Sequence, residues 1–398
     1  MRILFTAHPS YSHLAPVVLP VALAAREAGH EVAVATGPDL TGVIEERGLT
    51  ALPLPGMRSL AEAVREAQVA GAGIELPLDR IGRVTVELDP AFFARGFAGL
   101  LAGRSARDLL TAAESWKPDL LLRESTEYGG YLAAERLGLA HGALDIAPMA
   151  PYAHPLVAEE VNRQRAELDL APVADPWHPM RGLRAAVVPE AFYPASDRLP
   201  HTRHYRTTAP AAAPLDPHLA ELPDDRPLVL ATLGSNASRL PGSAASGLLD
   251  VIVRALAGLP VTAVVALGPG VSPLEWTGTR AGNVHLVSFA PQELLLRSCD
   301  LFITHAGFNG VRESLGAGVP MVAVPMFAEQ SANASRLEEL GVARRLNVED
   351  VTEESLSTAV RAVLDDPGFR HRAKGLQRRI DALPPLSGIV ADLRTLAD

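Results

Sequence analysis

The residues best suited to chemistry stand between positions 289 and 330. They read Phe289-Ala-Pro-Gln292, Thr304-His-Ala-Gly-Phe-Asn-Gly-Val-Arg-Glu-Ser-Leu315, Gly318-Val-Pro320 and Pro325-Met-Phe-Ala-Glu-Gln330. His305 falls where an apolar strand over Leu301–Thr304 gives way to a helix over 308–317. Gly307 lets a ligand approach the backbone closely, and the start of a helix offers amides that the helical ladder does not use, at the positive end of its dipole. The amides from Gly307 to Gly310 therefore predict a diphosphate seat, with His305 as a side-chain donor beside it. Glu313, two turns further on, can accept bonds from vicinal ribose hydroxyls. Glu329 and Gln330 open the next helix, where a carboxylate and an amide can grip a sugar. Phe289 offers a flat face to a base, and Gln292 a further polar contact. Taken singly, Glu313 reads as a solvated helix carboxylate and Glu329 as a charge favoured at a helix start; the spaced set is what carries the functional reading.

A second group lies near the N-terminus, in His8-Pro-Ser-Tyr-Ser-His13. An ordinary imidazole pKa of ~6.5 suits proton removal at neutral pH, so either histidine could act as a general base. No G-x-G-x-x-G follows the first strand, which counts against a dinucleotide-dependent oxidoreductase. His30 reads as a turn residue after Gly29. His201-Thr-Arg-His204 lacks a metal-ligating partner and reads as surface or the rim of an acceptor pocket.

These groups need rigid elements behind them. Ile3–Ala7, a helix over Leu14–Ala28 and a strand over Glu31–Ala35 form a βαβ unit, which implies a parallel sheet. Further strands are expected at Thr50–Leu54 and Leu120–Arg123, and a helix near Tyr128–Leu137. Residues 56–115 carry helical segments interrupted by Gly and Pro and read as an irregular insertion on the acceptor side; 147–200, Pro-rich and poorly periodic, reads likewise. The Pro-dense text of 209–227 reads as a linker. A second set then follows: strands at Leu228–Leu233, Val261–Leu267, Val284–Val287, Leu301–Thr304 and Met321–Val324, with helices after Ser243, over 308–317 and over 328–340. The expected division is 1–208, linker 209–227, 228–375, and a C-terminal helix in 376–398 returning to the first domain. Two doubly wound parallel-sheet domains should place ligands at the carboxyl ends of their strands.

A chain of 398 residues is too long for one core. Its formal net charge of −10 argues against nucleic acid as a partner. The single cysteine, Cys299, excludes an intramolecular disulfide and a cysteine metal cluster. The first apolar run is short for a signal peptide, and no stretch approaches a membrane span, so a cytoplasmic protein is expected. Lys117 and Lys374 are the only lysines, against a strong Ala and Arg bias, as in GC-rich bacterial coding.

On these motifs the sequence resembles the family 1 glycosyltransferases of GT-B fold, which include plant secondary-product and actinomycete antibiotic glycosyltransferases. The resemblance covers nearly the whole chain and is strongest over 284–345. It implies two Rossmann-like domains facing across a cleft and a nucleotide-sugar donor held by His305, Gly307, Asn309, Glu313, Glu329 and Gln330. Leu233-Gly-Ser235 resembles a donor-side loop, with Ser235 toward a phosphate or the sugar. Ser12-His13-Leu-Ala-Pro16 is similar to the family's Gly-His-x-x-Pro, which makes His13 the base. The family places Asp after strand 4 to orient that base; here Glu124 stands there, with Glu127 as its substitute and Arg123 alongside. Family members carry Ser or Thr after the Asn or Gly of the His-x-Gly motif, whereas this chain has Gly310 and Val311, leaving phosphate contact to amides and His305.

The implied reaction is inverting transfer of a sugar, deoxysugars included, from a dTDP- or UDP-sugar to a hydroxyl of a small hydrophobic natural product such as an antibiotic aglycone. No Asp-x-Asp motif stands by the donor window, so no metal and no cofactor are expected; the nucleotide sugar is a substrate. A homodimer is compatible with this reading. The alternatives are a lipid or sterol acceptor, a nucleotide-sugar epimerase of related fold, and a binding protein without turnover.

Overall fold

The computed structural model describes residues 1–69, 88–207, 214–234, 244–268 and 271–397. These divide into two compact units: residues 1–69, 88–207 and 383–397 form the first, and the described residues of 214–382 the second.

The first unit is built on a seven-stranded parallel sheet: β1 Arg2–Thr6, β2 Glu31–Thr36, β3 Thr50–Pro53, β4 Leu120–Glu124, β5 Ala140–Leu144, β6 Leu183–Ala186 and β7 Thr202–His204, in the order β3-β2-β1-β4-β5-β6-β7. β1 is apolar and buried at Ile3, Leu4 and Phe5, the mark of a strand covered on both faces. It pairs in register with β2 (Phe5 with Val34) and with β4 (Phe5 with Leu122). Helix Ala102–Trp116 packs on helix Tyr128–Leu137 over the sheet. Helix Ile389–Ala397 lies against β5, β6 and helix Leu19–Glu27. The chain leading to it is held by Arg206, whose Nε donates to the Leu383 carbonyl at 3.1 Å.

The second unit holds a six-stranded parallel sheet: β8 Leu228–Thr232, β9 Thr262–Ala266, β10 Val284–Val287, β11 Leu301–Thr304, β12 Met321–Ala323 and β13 Ala343–Arg345, ordered β10-β9-β8-β11-β12-β13. Helices Ala244–Ala257 and Glu353–Asp365 cover one apolar face, where Ile252, Val253, Leu256, Leu356 and Val360 meet Val229, Val265 and Ile303.

Two expectations are corrected. The stretch 147–200 is not irregular throughout: it holds helix Pro155–Glu167 and strand β6. The helix buries only Val157, Val161, Gln164 and Arg165, so its apolar stripe is thin, and β6 carries Arg184, fully buried beside Asp145. A charge inside a buried strand hides the strand pattern. Similarly, residues 90–116 form one unbroken helical run through Gly96, Gly99 and Gly103, with a π-helical turn over Ala94–Leu101.

Candidate active site

In each unit the strand order reverses once, and ligands of open parallel sheets bind at that switch point. In the first unit it lies between β1 and β4, in the second between β8 and β11. The chain segments leaving these four strands carry most of the candidate residues.

After β1 the chain passes His8, turns at Ser10 and enters a helical turn, Tyr11–His13, which runs through a π turn at Leu14–Val18 into helix Leu19–Glu27. Pro16 sits in the π turn, where its missing N–H favours a break in the ladder. His13 therefore stands on a helical turn, not in a loop, which limits how far its ring can wander. Glu124 ends β4 and is fully buried. Its Oε1 lies 3.2 Å from His13 Nδ1, across 111 residues of sequence. The Thr126 amide donates to Oε2 at 2.7 Å, and the Thr126 hydroxyl to Oε1 at 2.8 Å. Burial pushes the Glu124 carboxyl up, but His13, His8 and the Thr126 amide outweigh it and hold the pKa at about 2. The carboxylate is thus ionised at neutral pH.

The other candidates around this pair separate. Glu127 is no substitute for Glu124: it caps helix Tyr128–Leu137, accepting from the Gly129 and Gly130 amides at 2.8 and 2.7 Å and from Ser105 Oγ at 2.6 Å. Arg123 alternates away from Glu124 along β4 and spends its guanidinium on carbonyls, Ser125 and Pro179 among them, each at 2.6 Å. His8 is only 4% exposed, with Nε2 against the Thr126 carbonyl at 3.2 Å, whereas the His13 side chain is 26% exposed. Of the two imidazoles, His13 is the one open to a substrate.

In the second unit, β8 and β11 end alike. Thr232 Oγ1 accepts the Gly234 amide and Thr304 Oγ1 accepts the Ala306 amide, each at 3.2 Å, and residues 234 and 306 both take positive φ, +79° and +61°. The His305 ring lies between Gly234 and Gly307: a Cβ on Gly234 would stand 2.5 Å from His305 Cε1, and one on Gly307 would strike Nε2. Burial lowers the His305 pKa to about 4, with the Thr232 backbone opposing the shift. The ring is neutral at neutral pH and offers an N–H, not a charge. Its Nδ1 is buried with no hydrogen-bond partner among the described residues. Gly307 caps helix Phe308–Ala317, which carries Asn309 and Gly310 in its first turn.

Glu313, further along that helix, accepts from Gln292 Nε2 at 2.6 Å, and burial raises its pKa. Phe289 is 74% exposed, an open aromatic face. Glu329 stands half-buried at the start of helix Gln330–Glu339. Gln330 departs from the expectation in part. It is buried, and its Oε1 takes the Met326 and Phe327 amides at 2.9 and 3.1 Å, so any contact with a ligand falls to its NH2. Ser235 lies outside the described residues.

The sequence reading passed over Gly234, Thr126 and Thr304. Gly234 stood in the Leu233-Gly-Ser235 text, but its need shows only when the His305 ring is placed against it. His201 and His204 bond the Met180 and Val188 carbonyls at 2.6 and 2.8 Å and so fasten β7 and its surroundings. Among the described residues no group of three or more His, Cys, Asp or Glu could hold a metal ion, and no helix is long and apolar enough to cross a membrane.

Two parallel-sheet units of this order, the second with His-x-Gly leading into a helix at its switch point, make this a GT-B glycosyltransferase. Residues 218–382 match the UDP-glucuronosyl and UDP-glucosyl transferase model, and residues 23–150 the N-terminal domain of the erythromycin biosynthesis protein CIII-like model. The tylactone mycaminosyltransferase of Streptomyces fradiae is 30% identical over all of this chain and 92% of its own length. The aklavinone 7-beta-L-rhodosaminyltransferase of Streptomyces galilaeus is 28% identical over all of this chain and 96% of its own. The glycosyltransferase SnogD from Streptomyces nogalater, 27% identical, superposes with a TM-score of 0.77 over the whole of both chains. The chain belongs to the family 1 glycosyltransferases.

Proposed function

We propose that the enzyme transfers a sugar, a deoxysugar foremost, from a dTDP- or UDP-sugar to a hydroxyl of a polyketide-type aglycone. The observation that carries this is the pairing of a half-open His13 with a buried, ionised Glu124. The relatives' names, which pair tylactone and aklavinone with sugar transfer, support the acceptor class. A solved relative, SsfS6 of Streptomyces sp. SF2575, complexed with thymidine diphosphate, supports the donor class; it is 26% identical over 99% of both chains, with a TM-score of 0.72.

With Nδ1 assigned to Glu124, His13 takes the acceptor's proton at Nε2 as the hydroxyl oxygen attacks the anomeric carbon. The bond from that carbon to the diphosphate oxygen breaks with its electron pair, and one displacement inverts the centre. Glu124 stabilises the imidazolium, which passes its proton to solvent. His305 and the amides opening its helix meet the charge that grows on the diphosphate, where fixed donors act best. This reading gives no metal and no cofactor a part. A matrix of dTDP- and UDP-sugars against polyketide, flavonoid and sterol acceptors, followed by mass spectrometry with and without EDTA, tests it. Product with inverted anomeric configuration by NMR and activity retained in EDTA are expected; sugar conversion without an acceptor, or loss in EDTA restored by magnesium, would overturn it.

A further inference from the structure

Ala306 carries one of the few positive φ values outside glycine, at +61°, and it stands between His305 and Gly307. An alanine keeps such a backbone only where its surroundings over-determine it. Here both of its polar groups are held, and by different elements. The amide goes to Thr304 Oγ1 at the end of β11. The carbonyl accepts from Asn333 Nδ2 at 3.0 Å, from within helix Gln330–Glu339.

Asn333 is itself fully buried, and its Oδ1 has no hydrogen-bond partner among the described residues. A buried amide with an idle oxygen is a poor choice for stability, since an apolar side chain of that size would avoid the desolvation cost. Among the described residues its side chain bonds Ala306, and that bond is what distinguishes it from such a residue. Asn333 also lies one turn beyond Glu329 and Gln330, so its bond ties the segment expected to grip the sugar to the turn expected to grip the diphosphate.

We propose that Asn333 is a positioning residue for the diphosphate seat, holding the Ala306 carbonyl and thereby keeping the His305–Gly307 turn in its left-handed form. The inference rests on the nucleotide-sugar reading above. It makes Asn333 matter for the diphosphate and not for the nucleoside.

Calorimetric titration of wild type, Asn333→Leu and the double variant Asn333→Leu/Ala306→Gly with dTDP and dTMP tests it, alongside thermal unfolding. Loss of one neutral hydrogen bond should weaken dTDP binding of Asn333→Leu by roughly 3- to 10-fold, and dTMP binding by less than about twofold. The donor KM should rise while the acceptor KM stays put. Glycine at 306 adopts positive φ without help, so the double variant should recover most of the dTDP affinity. If Asn333→Leu does not fold, Asn333→Ala is read in the same way. Unchanged dTDP affinity, equal losses for dTDP and dTMP, or no recovery with Ala306→Gly would overturn the role of Asn333 while leaving the donor reading intact. A wild type that binds neither dTDP nor, in a parallel titration, UDP would overturn both.

Discussion

Glu124→Gln isolates the charge behind His13 with little change of shape. The carboxylate stands 3.2 Å from the His13 ring nitrogen, and two unit charges at that separation attract by about 5 kcal/mol at an effective dielectric of about 20. That is a ceiling on what the carboxylate contributes once the imidazolium is fully formed. With the proton about half transferred at the transition state, roughly half survives, ~2–3 kcal/mol, or a loss of about 30- to 160-fold in kcat. Glutamine still accepts from the Thr126 amide, so the β4 turn should persist and the loss should be chemical. His13→Ala should cost more, ~10²–10⁴-fold, because the base itself is gone. The double variant should be no slower than His13→Ala, since the two act as one unit. The assay is kcat at saturating donor with an ordinary alcohol acceptor, repeated across pH. In Glu124→Gln the low-pH limb should move to lower pH, because the imidazolium has lost its counter-charge. An acidic phenol or thiol acceptor should partly rescue His13→Ala. A folded Glu124→Gln enzyme with wild-type kcat, or a double variant slower than His13→Ala by the full product of the single losses, would refute the reasoning.

His305→Ala removes a donor from the diphosphate and should lower donor affinity and turnover by about ten- to a hundredfold; unchanged kinetics would take His305 out of the site. Gly234→Ala adds a methyl 2.5 Å from the His305 ring at a φ of +79°, so it should weaken nucleotide binding by ~10-fold or more. Gly247→Ala, with nothing within 4 Å in helix Ala244–Ala257, should instead stabilise the fold by ~0.5–1 kcal/mol, and equal melting shifts for the two would defeat the argument. Stability should also depend on pH through His305. Its folded pKa, about 4, lies below the ordinary 6.5, so between these values the unfolded chain holds a proton that the folded one lacks. Stability should rise with pH across that window and reach full value above it, and His305→Gln should flatten the rise; parallel melting curves would count against it.

The parts of the site that lie within one strand–turn–helix were legible because their geometry is local. His305, Gly307 and the helix after them are set by an apolar run, a glycine and a helix start within fifteen residues. The choice between Glu124 and Glu127 was not legible, since the two carboxylates stand three residues apart at the end of the same strand and in the turn after it. Only the turn shows one reaching across to His13 and the other folding back to cap its own helix. The same limit hid β6 and helix Pro155–Glu167, where a buried Arg184–Asp145 pair and a thin apolar stripe blur the periodic signal.

Hydrophobic period and glycine placement act over a few residues, and they were enough to read two parallel-sheet units and a His-x-Gly turn leading from β11 into a helix. Which distant residues meet is visible only in the folded chain: His13 with Glu124, Gln292 with Glu313, and Asn333 with Ala306. Those meetings depend on strand order and helix packing, which bring together positions that no local spacing relates.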